Sequence, residues 1–278
     1  MRAFVDGAQV APWLGGIAAV LSDLDGVVWR GDEVLPGAPE LFAELRRRDL
    51  PFAFATNNSA KTPVQYAARL TAAGIPVAAR QVVTSGVVTA RYLAENYGPG
   101  SQVHVLGSPA LVELIAAEGL NVTGSDLSAT HDDWPQVVVA GMDRELSYGK
   151  LAAAAAAVRS GADLLGTNGD PTFPVPGGLL PGTGSIIAAL ETATGRKAKL
   201  LGKPEAPMFE YALQLLGAEP ARTVMIGDRL DTDVLGARRA GLRTALVLTG
   251  ATTAAHSTGG VLEADLVVPG MLELLGIL

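Results

Sequence analysis

Two aspartates stand one residue apart in the segment LSDLDGVVW, where an apolar run gives way to Gly26. Residues i and i+2 of an extended chain point to the same side, so Asp23 and Asp25 can face one reacting centre. Repulsion between two such carboxylates lets one stay ionised while the other holds a proton. An ionised Asp23 could attack phosphorus, while Asp25 protonates the leaving oxygen and then activates water. Taken alone, the pair could equally cap a turn or a helix.

A second acidic segment, GDRLDTD, follows another apolar run near the C-terminus. Asp231 is most simply the N-cap of the helix that follows. Asp228 has no comparable role, and together with Asp23 it offers the hard oxygen ligands that suit Mg²⁺. We therefore expect a magnesium ion at this site, with Asp233 in the shell around the ligands, where it would orient the ligands or their loop.

The segments TNNS and GKP contain groups that could bind phosphate. Thr56, Asn57 and Asn58 supply a hydroxyl and two amides just before a predicted helix, although an ordinary helix start has the same residue types. Lys203 is one of five lysines in the chain and precedes a proline that suits the first turn of a helix. Carboxylates crowded beside a phosphate dianion require cations, and Mg²⁺ and Lys203 could provide them. This arrangement is the one that phosphoryl transfer needs.

The elements that position these residues alternate between strands and helices, which predicts an α/β fold with a mostly parallel sheet. Each polar cluster directly follows a predicted strand, so three separate segments should meet at the carboxyl edge of one sheet, where open α/β sheets bind ligands. The predicted strands are 17–23, 51–56, 222–227, 243–248 and 265–268, and the predicted helices are 38–48, 63–74 and 232–241.

The middle of the chain has its own strand and helix candidates, namely 102–106, 136–140 and the alanine-rich 151–158, together with a turn-rich stretch at 171–184. We predict a catalytic core formed by 1–84 and 196–278, and an inserted α/β domain at 85–195.

Composition excludes several classes of function. The 278 residues include no cysteine, which rules out disulfides, thiolate catalysis and cysteine-bound zinc. The net charge is −7 and no basic block is longer than three arginines, so a nucleic-acid partner is not expected. No apolar stretch is long enough to span a membrane, and the N-terminus lacks a basic start followed by a cleavable apolar segment. We expect cytoplasmic residence without membrane association.

Four motifs in this order and spacing resemble those of haloacid dehalogenase superfamily phosphatases: DLDGVVW, TNNS, GKP and GDRLDTD. The resemblance extends over 17–275 and is closest to the NagD-like branch, which includes 4-nitrophenyl phosphate, phosphoglycolate, glycerol phosphate and pyridoxal phosphate phosphatases. It implies a Rossmann-like core with a large α/β cap inserted between the second and third motifs.

The resemblance also implies roles for individual residues. Asp23 would be the nucleophile and a Mg²⁺ ligand, Asp25 the general acid and base that also binds the metal through its carbonyl, and Asp228 the remaining protein ligand. The residues expected to hold the phosphate are Thr56, Asn57 and Lys203. Superfamily dehalogenases usually lack the second aspartate of the first motif, so Asp25 favours phosphate over haloacid substrates.

The segment 167–185 resembles the substrate-specificity region of the cap in this family. Phe173 stands where pyridoxal phosphatases carry a histidine, which disfavours pyridoxal phosphate. Phe173 could contact substrate, or it could simply pack within the cap.

The expected function is a Mg²⁺-dependent phosphomonoester hydrolase that acts through an aspartyl-phosphate on a small phosphorylated metabolite. Glycerol phosphate, phosphoglycolate, a sugar phosphate or an aryl phosphate are candidate substrates. A phosphotransferase or mutase of the same fold, and a phosphate sensor without turnover, remain as alternatives. A homodimer formed through the cap is a possible assembly.

Overall fold

The computed structural model describes residues 16–123, 134–175, 177–252 and 262–277. The described chain forms two compact units. The first, here called the core unit, is drawn from Met1–Thr56, Val64–Val83 and Lys203–Leu278. The second, here called the inserted unit, is drawn from Asn57–Pro63 and Thr84–Gly202.

The strands and helices alternate along much of the chain. The strands are β1 (Ala19–Ser22), β2 (Trp29–Arg30), β3 (Glu33–Val34), β4 (Phe52–Thr56), β5 (Val82–Thr84), β6 (Gln102–Leu106), β7 (Asn121–Thr123), β8 (Val137–Ala140), β9 (Asp163–Gly166), β10 (Thr172–Val175), β11 (Gly178–Pro181), β12 (Lys199–Leu200), β13 (Thr223–Gly227), β14 (Arg243–Val247) and β15 (Leu266–Val268). The α-helices are α1 (Ala38–Arg47), α2 (Pro63–Ala72), α3 (Ser85–Tyr97), α4 (Pro109–Ala117), α5 (Tyr148–Arg159), α6 (Thr183–Thr194), α7 (Ala206–Leu216), α8 (Leu235–Arg239) and α9 (Met271–Ile277). Short helical turns lie at Ala79–Gln81, Pro220–Arg222 and, as a π-helical turn, Leu230–Val234.

The central sheet of the core unit has the strand order β15-β14-β13-β1-β4-β5. Strand β1 pairs in parallel with β13 on one side and with β4 on the other. Every residue of β1 and of β4 is buried, as expected for strands of a parallel sheet that is covered on both faces. Ser22 lies beside both Ile226 and Phe54, so the residues that follow these strands emerge at one edge of the sheet.

Helix α1 covers this sheet with the apolar stripe Leu41, Phe42 and Leu45. The Phe42 ring lies 5.1 Å from the Phe52 ring and 4.7 Å from the Phe54 ring, centroid to centroid. Such tilted aromatic contacts anchor β4, and through it the residues at the end of β4, in the core.

The inserted unit has a parallel sheet of its own, with the order β12-β9-β8-β6-β7. Strand β8 is fully buried, and the alanine-rich α5 packs closely in this unit through Ala154, Ala157 and Val158. Strands β10 and β11 form a separate antiparallel hairpin.

These sheets confirm the predicted α/β fold with a parallel-sheet core. Among the described residues, no helix combines the length and apolar composition that crossing a bilayer requires.

Candidate active site

Polar groups from several segments meet at the carboxyl edge of the core sheet. Asp23 directly follows β1 and Asp228 directly follows β13, while Thr56 is the last residue of β4. Asp23 and Asp228 are 7% and 4% exposed, and Asp233 is completely buried. These carboxylates are therefore held largely out of water, where charge requires compensation.

Asp23, Asp228 and Asp233 form one cluster, in which an oxygen of each lies within 4.8 Å of the others. Burial raises the pKa of Asp23 well above the ordinary aspartate value, and although Lys203 opposes this shift, the Asp233 and Asp228 carboxylates add to it. Burial and the Asp233 carboxylate likewise raise the pKa of Asp228 to about 7. The cluster therefore has an excess of negative charge that a cation would relieve.

Lys203 is the cation that this part of the structure supplies, and it is 3% exposed. Its Nζ lies 2.8 Å from Asp23 Oδ1 and 2.7 Å from Asp233 Oδ1. It also donates to the carbonyl oxygen of Ala55 at 3.0 Å, so each of the three ammonium hydrogens has an acceptor. Burial alone would lower the pKa of Lys203, but the Asp23 and Asp233 carboxylates outweigh it and raise the pKa, so the ammonium stays charged.

Asp233 is fully engaged by donors. Its Oδ1 accepts from Lys203, and its Oδ2 accepts from the backbone N–H groups of Asp228 at 3.2 Å and Arg229 at 3.1 Å. Asp233 lies in the π-helical turn Leu230–Val234, a geometry that occurs frequently at functional sites. Its carboxylate therefore fixes both the lysine and the chain that carries Asp228.

One oxygen of the Asp228 carboxylate accepts a hydrogen bond, and the other, here called the orphaned oxygen, accepts none from the described residues. Oδ2 accepts from the backbone N–H of Ala251 at 2.6 Å. Oδ1 is buried and has no hydrogen-bond partner within the described part of the chain. A buried anionic oxygen without a donor is costly, and a divalent cation would satisfy it. With three carboxylates in one buried cluster, the donor set fits Mg²⁺, which prefers hard oxygen ligands.

Two glycines leave the space that the Asp228 carboxylate occupies. A Cβ on Gly26 would lie 2.5 Å from Asp228 Oδ2, and a Cβ on Gly250 would lie 1.9 Å from the same atom. Gly26 also has φ of 84°, a conformation that favours glycine. Gly250 and Ala251 were not predicted as site residues, although both follow a predicted strand, the signal that identified the other clusters.

Asp25 lies outside the carboxylate cluster. Its Oδ1 accepts a hydrogen bond from the indole N–H of Trp29 at 2.9 Å. The intervening turn is closed by the carbonyl of Leu24, which accepts from the N–H of Val28 at 2.8 Å. Asp25 is partly exposed, so its second oxygen can be reached from solvent.

The TNNS residues fall in both units. Thr56 belongs to the core unit, is 2% exposed and shares a hydrogen bond with the Tyr66 hydroxyl. Asn57 and Asn58 belong to the inserted unit. The Asn57 amide donates to Asp170 Oδ2 at 3.0 Å, whereas the exposed Asn58 accepts from the N–H of Ala60 at 2.9 Å.

Phe173 lies in β10 of the inserted unit and is half-buried. The guanidinium carbon of Arg144 lies 5.1 Å from the centre of its ring, within the range of a cation–π contact. The structure thus brings Asp23, Asp228, Asp233 and Lys203 together in the core unit, and it places Asn57, Asn58 and Phe173 in the inserted unit.

Comparison with known proteins identifies the family. Residues 20–121 match a model of haloacid dehalogenase-like hydrolases, and residues 200–274 match a second model of HAD-like hydrolases. The chain is 38% identical to the glycerol-3-phosphate phosphatase of Gallus gallus over 265 residues, which is 90% of this chain and 85% of the relative.

Solved structures agree with this result. A 4-nitrophenylphosphatase from Thermotoga maritima superposes with a TM-score of 0.86 at 33% identity, covering 95% of this chain and 98% of that one. A glycerol phosphate phosphatase from Mycobacterium tuberculosis, in complex with magnesium, superposes with a TM-score of 0.85 at 35% identity, covering 94% of this chain and 77% of that one. The resemblance seen in the four motifs is confirmed, and the chain belongs to the haloacid dehalogenase-like hydrolases.

Proposed function

We propose that this protein is a Mg²⁺-dependent phosphatase that hydrolyses small phosphorylated metabolites. The observation that carries the proposal is the pairing of a buried carboxylate, Asp23, with the charged Lys203, in a cluster that also holds the orphaned oxygen of Asp228. Relatives described as acting on glycerol phosphate and 4-nitrophenyl phosphate support a small phosphomonoester as substrate.

Asp23 and Asp228 would hold the magnesium ion, together with the main-chain carbonyl of Asp25. When bound, Mg²⁺ supplies positive charge that offsets the carboxylates and the phosphate dianion. Asp233 would orient this site by holding Lys203 and the loop after β13, as its hydrogen bonds support.

In the proposed mechanism, Asp23 attacks phosphorus through its carboxylate, so that a new oxygen–phosphorus bond forms while the bond to the leaving oxygen breaks. Asp25 gives its proton to the leaving oxygen, and the alcohol departs. Asp25, now ionised, takes a proton from water as that water attacks the aspartyl-phosphate. Phosphate leaves and the Asp23 carboxylate is restored.

We further propose that Thr56, Asn57 and Asn58 bind the phosphate and that Lys203 helps to do so. Because the three N–H groups of Lys203 already have acceptors, its contribution to phosphate binding would come from its charge. The inserted unit is proposed to be the cap predicted at 85–195, with Phe173 as a residue that contacts substrate. Cytoplasmic residence and a homodimer stay predictions.

The test is phosphate release from 4-nitrophenyl phosphate and glycerol phosphate, with and without Mg²⁺. Asp23→Asn should abolish turnover. It should also fail to accumulate a protein-bound phosphate that is stable in acid and released by hydroxylamine, as expected of an aspartyl-phosphate. Asp49→Asn is a matched control, because Asp49 is exposed with φ of 55°, a conformation that asparagine adopts as readily. Equal phosphate release by wild type and Asp23→Asn would overturn the proposal.

Adding an alcohol acceptor separates hydrolysis from phosphoryl transfer. A hydrolase should release inorganic phosphate as the main product even when the acceptor is abundant. If the phosphoryl group went chiefly to the alcohol, a phosphotransferase would be the better assignment, and binding of phosphate esters without turnover would indicate a sensor.

A further inference from the structure

The indole of Trp29 donates a hydrogen bond to Asp25 that the proposed mechanism does not yet use. Trp29 is 1% exposed, and its Nε1 lies 2.9 Å from Asp25 Oδ1. A buried indole N–H needs a hydrogen-bond acceptor, and here the acceptor is the partly exposed carboxyl group to which the proposed mechanism assigns the catalytic proton.

Two side chains hold the indole ring in place. The guanidinium carbon of Arg69 lies 4.0 Å from the ring centre, and the Tyr66 ring lies parallel to it, with the two centroids 6.4 Å apart. Arg69 is itself fixed, because it donates to the carbonyl of Gly31. The ring therefore cannot turn its N–H away from Asp25 without giving up contacts on its faces.

The backbone turn that follows the two aspartates places Trp29 beside Asp25. The N–H of Gly26 donates to the carbonyl of Trp29 at 2.7 Å, and Thr249 Oγ1 donates to the carbonyl of Gly26 at 2.6 Å. The donor and the carboxylate are thus fixed by one short backbone segment.

An indole N–H can donate a hydrogen bond and cannot accept one. Asp25 Oδ1 is then the acceptor whether the carboxyl is protonated or ionised, and a proton on that oxygen would weaken this bond, because the hydroxyl oxygen of a carboxyl group accepts less strongly than its carbonyl oxygen. We propose that Trp29 is a positioning residue that confines the catalytic proton of Asp25 to Oδ2. This inference rests on the proposed function and deepens it.

The consequence concerns both chemical steps. In the first step the Oδ2–H bond breaks as the proton passes to the leaving oxygen, whose bond to phosphorus also breaks while Asp23 bonds to phosphorus. In the second step Oδ2 takes a proton from the attacking water, and the aspartyl-phosphate bond breaks. With Oδ1 always accepting from Trp29, the same oxygen would give and take the proton.

The test compares leaving groups of nearly the same shape. Phenyl phosphate depends on protonation of its leaving oxygen more than 4-nitrophenyl phosphate does, because phenol is the weaker acid. Trp29→Phe keeps a ring for stacking and removes the donor. We expect kcat/KM for phenyl phosphate to fall about ten-fold to a hundred-fold, with a much smaller loss for 4-nitrophenyl phosphate.

The ratio of the two kcat/KM values is the readout, because partial unfolding of a preparation lowers both equally. Trp134→Phe is the matched control: Trp134 packs against a cluster in the inserted unit, and its Nε1 has no hydrogen-bond partner in the described part of the chain. This control should leave the ratio at its wild-type value.

A double variant tests whether the effect passes through Asp25. In an Asp25→Asn background, Trp29→Phe should no longer change the ratio, since there is no proton left to position. Equal losses on both substrates in Trp29→Phe, or a change of ratio that persists with Asn at 25, would overturn the inference while leaving the phosphatase assignment intact. Absence of hydrolysis by wild type would overturn both.

Discussion

Asp228, the proposed metal ligand, has a cost to the fold. One of its oxygens is buried without a hydrogen-bond partner among the described residues, and its nearest charged neighbours include Asp233. Residues arranged for function commonly reduce stability in this way, because the fold itself does not supply the ligand that would offset their charge. The metal-free protein should therefore be less stable with an ionised Asp228 than with a neutral one.

The first prediction is that Asp228→Asn stabilises the metal-free protein most strongly above pH 7. The pKa of Asp228 is raised to about 7 in the native state, from 3.8, by burial and by Asp233. A raised pKa means that the native state keeps a proton that the unfolded chain releases, so this stability is complete below pH 3.8 and is lost as pH rises through 7. Asparagine carries no charge at any of these pH values. We expect a gain on the order of 1–3 kcal/mol at pH 8 and little change at pH 4.

Thermal unfolding with EDTA and with Mg²⁺ measures this effect. Mg²⁺ should raise the Tm of wild type and should have little effect on Asp228→Asn, since a ligand stabilises only the state that binds it. Asp231→Asn is the control: desolvation acts to raise the pKa of this exposed carboxyl, but the hydrogen bonds from Arg229 outweigh it and lower the pKa, so loss of the charge should not stabilise the protein. If Asp228→Asn raised the free energy of unfolding equally at pH 4 and pH 8, the charge of Asp228 would not be the cause of the lower stability.

The sequence predicts those site residues whose chemistry is unusual for their position. Asp23, Asp228 and Lys203 are charged groups at strand ends or helix starts, and each stands out in its motif. Gly250 could not be recognised in this way, since its role is to leave room for a carboxylate 22 residues earlier in sequence: a Cβ at residue 250 would lie 1.9 Å from Asp228 Oδ2. Trp29 was visible in the motif, but its hydrogen bond depends on a turn whose geometry only the structure supplies.

At the scale of elements, the inserted unit uses its own sheet edge to hold the loop Asn57–Pro63. Strand β6 lies between β7 and β8, and such a point of reversal is where open α/β sheets leave a crevice for ligands. Here Ser59 occupies the edge: its Oγ lies 3.3 Å from Thr167 Oγ1, and its carbonyl accepts from Ser108 Oγ at 3.1 Å. The second sheet therefore supports a loop of the proposed site at the position where it could otherwise bind a ligand.

Asn168 and Ser85 both donate to the carbonyl of Asn57 in this loop, and Asn168 gives the second prediction. Its Nδ2 donates to the carbonyl of Asn57 at 2.7 Å, with Thr167 Oγ1 and Thr183 Oγ1 at 3.2 and 3.3 Å. Asn168→Asp keeps the shape and replaces the donor with a buried carboxylate that faces the carbonyl. We expect a loss of about 2–4 kcal/mol in the free energy of unfolding and a KM for 4-nitrophenyl phosphate raised by about ten-fold.

Asn96→Asp is the matched control for this prediction. The Asn96 amide also donates to a backbone carbonyl, that of Tyr92, but it does so on the exposed surface of α3. The two variants should differ clearly from each other in denaturant unfolding and in steady-state kinetics. Equal changes in the two would show that Asn168 has no special part in holding Asn57.

The elements themselves were predictable where periodicity and end signals agree. The strand predicted at 102–106 has those bounds in the structure, and the strand predicted at 51–56 begins one residue later. The helix predicted at 232–241 is wrong at both ends: a π-helical turn occupies Leu230–Val234, and the α-helix is Leu235–Arg239. Interactions of the folded chain, and not local helix propensity, explain the difference, because the Asp233 carboxylate accepts hydrogen bonds from the N–H groups of Asp228 and Arg229. The turn-rich 171–184 contains the hairpin β10–β11 and the start of α6, which its prolines and glycines concealed.

At the scale of the whole molecule, the charged groups of the site belong to one unit although they come from distant parts of the sequence. Asp23, Lys203 and Asp228 all lie in the core unit, with the insertion lying between the first two in the chain. Metal binding and the holding of the Asn57–Pro63 loop are thus divided between the units. Binding of a metal at the proposed site should therefore change local stability chiefly within the core unit.

The third prediction follows from this division: Mg²⁺ should slow backbone hydrogen exchange at the edge of the core sheet and leave the inserted unit largely unchanged. Protection is expected at 22–29, 226–234 and 248–252, where Ala251 N–H binds Asp228 and where Asp233 binds two further N–H groups. Peptides from 85–123 and 134–166 should exchange at the same rate with and without Mg²⁺. Mass spectrometry of the full chain measures both sets in one experiment.

Gly250→Ala separates metal binding from a general effect of Mg²⁺ on the surface. A Cβ at residue 250 would lie 1.9 Å from Asp228 Oδ2, so the carboxylate must move, and we expect Mg²⁺ protection to fall to a small fraction of the wild-type value. Gly276→Ala is the control, because a Cβ there meets no atom within 4 Å. Protection that survives in Gly250→Ala, or that spreads equally into the inserted unit, would mean that magnesium binds somewhere other than the carboxylate cluster. The core sheet would then position these carboxylates for another purpose, because their burial and the orphaned oxygen of Asp228 would still need a counter-charge.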